Sequence, residues 1–370
     1  MTDPVPGAVA PTPRSSVLAI PAYVPGRPPT TRPGTTSYKL SSNELPFPPL
    51  PGVLAAAHEA AAQMNRYPDM GSAALYAALA DHLGVPTERL AVATGSVALL
   101  YQLVAAFCDP GDEVVHAWRS FEAYPIAVTA GGAVGVPVPL GAGHRHDLGA
   151  MAAAVTDRTR VVILCTPNNP TGPALTQTEV DAFLTQVPGH VVVVLDEAYV
   201  EFVRGDDPLD GVATAARHPN VVLTRTFSKA YGLAGFRVGY AVAHPDVAAA
   251  LRAVSLPFGV SAVAQAAAVA SLAEGGALAE RVEAVVQRRA RVLAGLRDAG
   301  WDVPDAQGNF VWLPLTGTTP GAPDHAGTFA AAAEEAGIVV RPFAGDGVRV
   351  TIGEEEACER LLAVASAYRR

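Results

Sequence analysis

The stretch VVVVLDEAY, residues 191–199, decides the fold class. Its apolar residues do not alternate with polar ones, which is typical of a strand buried on both faces of a parallel sheet. Similar short runs occupy Val161–Leu164 and Val221–Leu223, and a helical pattern at Glu179–Val187 separates the first two runs. This rhythm predicts an α/β fold with a mostly parallel central sheet.

Composition excludes several classes of protein. Half of the 370 residues are apolar and 16% are charged, which rules out global disorder. A net charge of −9 argues against sequence-independent binding to nucleic acid or to an anionic membrane surface. The three cysteines lack CxxC spacing, and no stretch has the ~18 unbroken apolar residues of a membrane span. Without a recognisable secretory signal, we expect a cytoplasmic protein with no metal, membrane or nucleic-acid partner.

The chain is expected to divide into four segments. They are a disordered tail at 1–16, an N-terminal arm at 17–40 that joins the small domain, a large domain at 41–273 and a small domain at 274–370. In the last segment a long amphipathic pattern ends at Gly300 and a final helix begins at Glu354. The strands predicted between them are Phe310–Leu315, Ile338–Arg341 and Val348–Ile352. This pattern predicts a smaller α+β domain.

Polar residues gather where the predicted strands end. Asn169 follows the first run, Asp196 and Tyr199 follow the second, and Ser228 and Lys229 follow the third. In an open parallel sheet, ligands bind beyond the carboxyl ends of the strands. We therefore expect these side chains to line one crevice.

Lysine is rare in this chain. Of 26 basic residues only Lys39 and Lys229 are lysines, so any chemistry that needs a lysine has two candidates. The stretch 191–197 also looks like the acidic strand that holds Mg²⁺ in P-loop enzymes. That reading requires a GxxxxGK[ST] loop, which neither lysine has, so nucleotide hydrolysis is rejected.

A pyridoxal phosphate site accounts for the whole set. Lys229 supplies the amine that forms a Schiff base with the cofactor aldehyde. Asp196 keeps the pyridine nitrogen protonated, and Asn169 and Tyr199 donate to the phenolate oxygen. Each residue alone fits an ordinary structural role, for example Asp196 as a helix cap. Their order along a βαβ chain favours the cofactor site.

The cofactor phosphate and ring need further partners. Ser96 and Val97, after Gly95, open a predicted helix whose N–H groups suit an anion. Ser228 adds a hydroxyl, and Arg237 adds a charge. The candidate for stacking on the pyridine face is Phe121.

These motifs resemble a known family. NPTG at 169–172, DEAY at 196–199 and SKAYGLAGFR at 228–237 look like class-II aminotransferases of the histidinol-phosphate aminotransferase group. Five further segments are similar to the aromatic amino acid aminotransferase branch of that group. They are residues 20–27, 40–44, 65–69, 118–125 and 309–313. The resemblance extends from Ile20 to the C-terminus.

The resemblance implies a PLP-dependent transferase of fold type I, with a large and a small domain, that acts as a homodimer with shared active sites. It implies transfer of the amino group of Phe, Tyr or Trp to 2-oxoglutarate, with Lys229 as tether and general base. Tyr67 would reach the cofactor phosphate of the neighbouring subunit. Arg349, with Arg341 as a second and less specific match, would bind the anionic groups of the substrate. Asn169 would also contact the substrate, and Tyr23 would edge its pocket.

Two alternatives stay open. Histidinol-phosphate transamination is the nearest, because the same arginines could hold a phosphate; only the flanking segments favour aromatic substrates. The second is a cofactor-binding regulator built on the same fold. Such proteins carry an N-terminal DNA-binding domain, whereas only an arm of about 40 residues precedes the core here.

Overall fold

The computed structural model of the chain describes residues 11–20, 23, 25–29, 34, 36–315 and 324–368. Residues 1–10 of the predicted tail lie outside the described residues. Ser15 and Ser16, at the end of that predicted tail, belong to a one-turn helix, Ser15–Leu18. The guanidinium of Arg14 donates a hydrogen bond of 2.8 Å to the carbonyl of Ala130, which attaches this turn to the body of the protein.

Strands and helices alternate along most of the described chain. The strands are β1 Tyr38–Lys39, β2 Leu90–Ala93, β3 Glu113–Trp118, β4 Val134–Pro139, β5 Thr159–Cys165, β6 Val192–Asp196, β7 Val221–Thr226, β8 Gly239–Val242, β9 Phe310–Pro314, β10 Ile338–Val339, β11 Arg341–Phe343 and β12 Gly347–Thr351. The α-helices are α1 Ser15–Leu18, α2 Pro51–Ala61, α3 Ala73–Leu83, α4 Ser96–Phe107, α5 Ala123–Gly131, α6 Leu148–Ala153, α7 Gln177–Leu184, α8 Gly211–Arg217, α9 Pro245–Ala253, α10 Ala262–Ala273, α11 Gly275–Asp298, α12 His325–Glu335 and α13 Glu355–Ala367.

Within the described ranges, the central sheet has seven strands in the order β2-β8-β7-β6-β5-β3-β4. All neighbouring pairs are parallel except those of β8, which is antiparallel to β2 and β7. The three predicted apolar runs form β5, β6 and β7 at its centre, so the mostly parallel α/β fold is confirmed. The sequence analysis did not identify β2, β3, β4 and β8.

The apolar run of β6 is buried because both faces of the sheet are covered. Val193 and Leu195 pack toward α2, α3 and α10, whereas Val192 and Val194 pack toward α4, α5 and α9. Successive side chains of a strand point to opposite faces. Asp196, the last residue of β6, is therefore on the same face as Val192 and Val194.

A second sheet is formed by the C-terminal part of the chain. Its strands are antiparallel in the order β11-β12-β9, and they share a hydrophobic core with α11, α12 and α13. The prediction of one strand at Ile338–Arg341 was wrong, because these residues divide between two sheets. Ile338 and Val339 form β10 and pair in parallel with β1 of the N-terminal arm, whereas Arg341 begins β11. The domain boundaries at 40/41 and 273/274 stay a prediction.

None of the single helices in the described ranges has the length and apolar character needed to cross a membrane. α10 and α11 meet that criterion only when taken together, and the two are bent by 83° relative to each other. In this fold α10 packs against α2 and α3.

Gly239 lets β8 approach the start of α4. A Cβ atom at this position would lie 2.6 Å from the amide nitrogen of Ser96 and 2.9 Å from the carbonyl oxygen of Arg225. Both neighbours are backbone atoms, which cannot rotate away as a side chain can. Because glycine has no Cβ atom, the N-terminus of α4 can approach β8 this closely.

We expect Gly239→Ala to destabilise the fold by about 1–3 kcal/mol, because the added methyl group forces backbone segments apart. The free energy of unfolding from urea titration measures this effect. Gly189→Ala is the matched control, since a Cβ atom there meets no atom within 4 Å, and we expect a change within about 0.5 kcal/mol. Equal stability of the two variants would contradict this account.

Candidate active site

A cavity opens at the carboxyl ends of β5, β6 and β7. The strand register places Cys165 beside Asp196 and Asp196 beside Thr224, so the residues that follow these strands converge there. Every predicted site residue except Tyr67 lines the cavity. These are Tyr23, Ser96, Val97, Phe121, Asn169, Asp196, Tyr199, Ser228, Lys229, Arg237, Arg341 and Arg349.

Lys229 projects its amine into the cavity. Nζ donates a 3.2 Å hydrogen bond to the carbonyl of Ser42 and lies 5.6 Å from the centre of the Tyr199 ring. Burial lowers the pKa of Lys229 to about 7, and the positive charge of Arg349 contributes to the shift. An appreciable fraction of this amine is therefore neutral near pH 7, as a nucleophile or base requires. Lys39 instead forms a 2.8 Å ion pair with Glu44.

Asp196 is a buried carboxylate held by neutral donors. The hydroxyl of Tyr124 donates to its Oδ2 at 2.7 Å, and the hydroxyl of Thr224 lies 3.4 Å from its Oδ1. Burial raises the pKa of Asp196, and both hydrogen bonds act against that rise. A cationic N–H group next to this carboxylate would stabilise its charged form.

Sequence reasoning missed Tyr124 and Asn43. Tyr124 lies three residues after Phe121, and that spacing, which places two side chains on one side of a helical turn, is the signal that could have found it. Asn43 donates from Nδ2 to the hydroxyl of Tyr199 at 2.9 Å. Asn43 lies in the segment 40–44 that resembles the family, but its partner is 156 residues away, so the sequence does not reveal this contact.

The end of the cavity at the start of α4 is suited to an anion. The 12-residue helix α4 begins at Ser96, and no side chain caps its first turn. Gly95, with φ of +85°, allows the guanidinium of Arg237 to approach, since a Cβ atom would lie 2.8 Å from its Nη2. Arg237 also lies 3.2 Å from the hydroxyl of Ser228 through Nη1. Free helix N–H groups, a hydroxyl and a guanidinium are the donors that a phosphate dianion requires.

Two arginines reach the cavity from the smaller sheet. Arg349 donates from Nη1 to Oδ1 of Asn169 at 2.6 Å and from Nη2 to the carbonyl of Ser41 at 2.7 Å. Its buried Nε has no hydrogen-bond partner among the described residues. Arg341 forms a 2.8 Å ion pair with Glu122. Glu122, which also lines the cavity, was not among the predicted site residues.

Of the three aromatic candidates, two line the cavity and one lies outside it. Phe121 lines the cavity and packs edge-to-face on Tyr124, with ring centres 5.6 Å apart. Tyr23 is 53% exposed at the cavity edge. Tyr67 is 82% exposed and lies against Phe258, with ring centres 4.7 Å apart, outside the cavity of its own chain. Its predicted role toward a neighbouring subunit stays a prediction.

A family model described as aminotransferase class I and II matches residues 35–364. The chain belongs to this family. The resemblance based on the three motifs is thereby confirmed, and the protein is an enzyme of the transaminase type, a class that acts on small-molecule amino acids and oxo acids.

Relatives and solved structures agree with this assignment. An aromatic amino acid aminotransferase of Streptomyces avermitilis is 54% identical over 357 residues, which are 96% of this chain and 97% of that protein. One of Rhodococcus jostii is 54% identical over 358 residues, which cover 97% and 96% of the two chains.

The structure is similar to that of histidinol-phosphate aminotransferase from Sinorhizobium meliloti in complex with pyridoxal-5'-phosphate. The TM-score is 0.80 at 31% identity, covering 89% of this chain and 90% of that one. A mutant of Thermus thermophilus aspartate aminotransferase gives a TM-score of 0.77 at 28% identity, covering 90% and 92%. The prediction of the PLP-dependent transferase fold is confirmed by these structures and by the family match.

The low pKa of Lys229 can be measured in the cofactor-free protein. Only the neutral amine reacts with an acylating reagent, so we expect labelling of Lys229 to rise with pH and to reach half its maximal rate near pH 7. Peptide mass spectrometry separates this label from that on Lys39. In Arg349→Met the midpoint should move to higher pH, because a positive charge that disfavours the ammonium form is gone. A midpoint near the ordinary lysine value in the unsubstituted protein would contradict the assignment.

Proposed function

We propose that this aminotransferase binds pyridoxal 5'-phosphate through Lys229 and transfers the amino group of an aromatic L-amino acid (Phe, Tyr or Trp) to 2-oxoglutarate. The observation that carries the choice of substrate is the 54% identity, over almost the whole chain, to proteins named aromatic amino acid aminotransferase. The arrangement of the cavity supports the choice of cofactor.

The charges of the cavity fit this cofactor at both ends. Asp196, held only by neutral side-chain donors among the described residues, suits the protonated pyridine nitrogen. Ser96, Ser228 and Arg237 suit the phosphate. Asn169 accepts from Arg349 through Oδ1, which leaves its amide nitrogen as a donor for the phenolate oxygen. When bound, the cofactor supplies an aldehyde that takes up the amino group and a ring that withdraws electrons from Cα.

Lys229 has two roles in this proposal. Its Nζ would hold the cofactor, and the free amine would accept the proton from the substrate Cα. The lowered pKa suits both roles, because a largely neutral amine near pH 7 can attack a carbonyl carbon and can accept a proton. Its hydrogen bond to the Ser42 carbonyl keeps Nζ inside the cavity.

Arg349 orients the substrate. Asn169 and Ser41 hold its guanidinium in place, and a guanidinium has five N–H donors, so further donors are available to a carboxylate. A guanidinium can bind a carboxylate bidentately, which fixes the direction of the substrate Cα–H bond. A fixed direction places this hydrogen toward Lys229 in each turnover.

The assembly proposed is a homodimer with shared active sites. In support, Tyr67 belongs to an exposed apolar patch that includes Met70, Leu256 and Phe258, with exposed fractions of 82%, 65%, 72% and 41%. Exposed apolar patches of this kind are typical of protein interfaces. Sedimentation equilibrium is expected to give twice the mass of the 38.1 kDa chain; a monomer at micromolar concentration would contradict it.

Histidinol-phosphate transamination is the second candidate. It is supported by the likeness to the Sinorhizobium meliloti histidinol-phosphate aminotransferase and by the two neighbouring arginines, Arg341 and Arg349, which could together hold a phosphate. The large share of the chain that matches aromatic amino acid aminotransferases favours the first candidate.

Lys229→Ala is expected to abolish covalent attachment of the cofactor and to reduce transamination at least about 10³-fold, because the tether and the base are lost together. Borohydride reduction followed by peptide mapping measures the attachment. The matched control is Lys39→Ala, which removes the only other lysine and should keep the label on residue 229. Label on residue 39, or near-normal activity of Lys229→Ala, would defeat the proposal.

A substrate panel with 2-oxoglutarate as acceptor tests the choice of substrate. We expect the kcat/KM values for phenylalanine, tyrosine and tryptophan to exceed the value for histidinol phosphate by at least about tenfold. A preference for histidinol phosphate would replace the first candidate with the second. No turnover with 2-oxoglutarate, together with turnover on another oxo acid, would refute the acceptor alone.

A further inference from the structure

We propose that Glu122 is a specificity-determining residue, which neutralises Arg341 and thereby makes the side-chain end of the substrate pocket disfavour a second anionic group. The inference rests on the proposed function for its substrates. It concerns a carboxylate that the sequence analysis did not select and that has no part in the transfer mechanism above.

The two arginines of the pocket are direct neighbours. Arg341 in β11 and Arg349 in β12 are directly opposite in the antiparallel register. Side chains at such positions are close together on one face, and like charges there repel each other. Both residues are buried, at 7% and 9% exposure, so water screens this repulsion weakly.

The hydrogen bonds of the two arginines differ in kind. Arg349 donates to neutral oxygens of Asn169 and Ser41. Arg341 donates to the carboxylate of Glu122 at 2.8 Å, and its other contact, a 3.4 Å bond to the carbonyl of Pro25, is also neutral. One of the two positive charges is thus compensated within the protein. Arg349 keeps its charge for the substrate.

Among the described residues, no further ion pair involves Arg341, Arg349 or Glu122. Arg119 is the third guanidinium near the Phe343 ring, with its Cζ 5.7 Å from the ring centre, and Asp346 pairs with it at 2.5 Å. Arg341 lies 5.3 Å from the same ring. The charges of Arg341, Arg349 and Glu122 therefore sum to one positive charge, and this charge lies next to the aromatic ring of Phe343.

Glu122 also affects Arg349 from a distance. Burial lowers the pKa of the Arg349 guanidinium, the charge of Arg341 lowers it further, and the Glu122 carboxylate acts in the opposite direction. The three groups form one electrostatic unit, so a change at Glu122 alters the potential that a bound anion experiences at both arginines.

One net positive charge matches one carboxylate. An aromatic amino acid places its α-carboxylate on Arg349, and its uncharged ring can lie beside Phe343 and the intact pair of Arg341 with Glu122. A substrate with a second anion must displace Glu122 from Arg341 or lie near the Glu122 carboxylate. Either outcome lowers its relative affinity, which is discrimination by repulsion. The acceptor 2-oxoglutarate has two carboxylates, so its binding must overcome the same repulsion by Glu122.

The test uses the holoenzyme and the half-reaction with a single amino acid, so that the acceptor plays no part. The kcat/KM values are measured for phenylalanine, glutamate and glutamine in the unsubstituted protein and in Glu122→Gln. Glutamate and glutamine have almost the same shape and differ in charge. We expect the ratio of glutamate to glutamine to rise about tenfold in Glu122→Gln, since the opposing carboxylate is gone.

Glu122→Asp is the conservative variant. It keeps the charge and should leave the ratio of glutamate to glutamine within about threefold of the original value. Glu122→Thr provides a second uncharged variant, expected to shift the ratio in the same direction as Glu122→Gln, should that variant not fold. A merely structural role of Glu122 would lower all three kcat/KM values together and leave the ratio unchanged.

An unchanged ratio of glutamate to glutamine in the uncharged variants would overturn the inference. That outcome is distinct from failure of the proposed function, which would appear as weak turnover of phenylalanine by the unsubstituted protein. The ratio tests Glu122 even in that case, because neither amino acid in it is aromatic.

Discussion

A carboxylate buried at the end of a central strand is costly unless its charge is compensated, and Asp196 is such a carboxylate. The apolar residues of β6 that precede it carry it into the interior, on the face covered by α4 and α5. Its side-chain hydrogen bonds among the described residues come from two hydroxyl groups, which stabilise the charge without cancelling it. A cationic partner would complete the compensation of this charge, and Asp196 lines the cavity that such a partner could enter.

The two sheets contribute different chemistry to the cavity. The central sheet supplies Asp196, Lys229 and the start of α4, all within one layer of parallel strand ends. The smaller sheet supplies Arg349 and Arg341, and the loop that follows β1 supplies the carbonyl groups that hold Arg349 and Lys229. Because the carbonyls of Ser41 and Ser42 each bind one of these cations, this short loop couples the position of Arg349 to that of Lys229.

Cationic side chains crowd this cavity, and burial makes each of them more expensive to keep charged. Burial lowers the pKa of Lys229 to about 7, so this side chain can become neutral, whereas an arginine cannot lose its proton under ordinary conditions. Arg341 is stabilised by the Glu122 carboxylate and Arg349 by neutral oxygens, so the cavity retains a positive charge at Arg349 that no carboxylate among its hydrogen-bond partners compensates. The two arginines therefore differ in whether a carboxylate of the protein compensates their charge.

The sequence by itself determined the central strands, the family and the residues that follow each strand, because these depend on local pattern. Asn169, Asp196 and Lys229 could be found since the carboxyl ends of parallel strands always meet at one edge. The contact of Tyr124 with Asp196, that of Asn43 with Tyr199 and the pairing of Glu122 with Arg341 were decided only by tertiary structure. The two partners are 72, 156 and 219 residues apart, and a contact across such a distance depends on how helices and sheets pack, which no local pattern encodes. For the same reason Ile338–Arg341 divided between two sheets: its apolar pattern indicates a strand, but the available partner strands decide where that strand breaks.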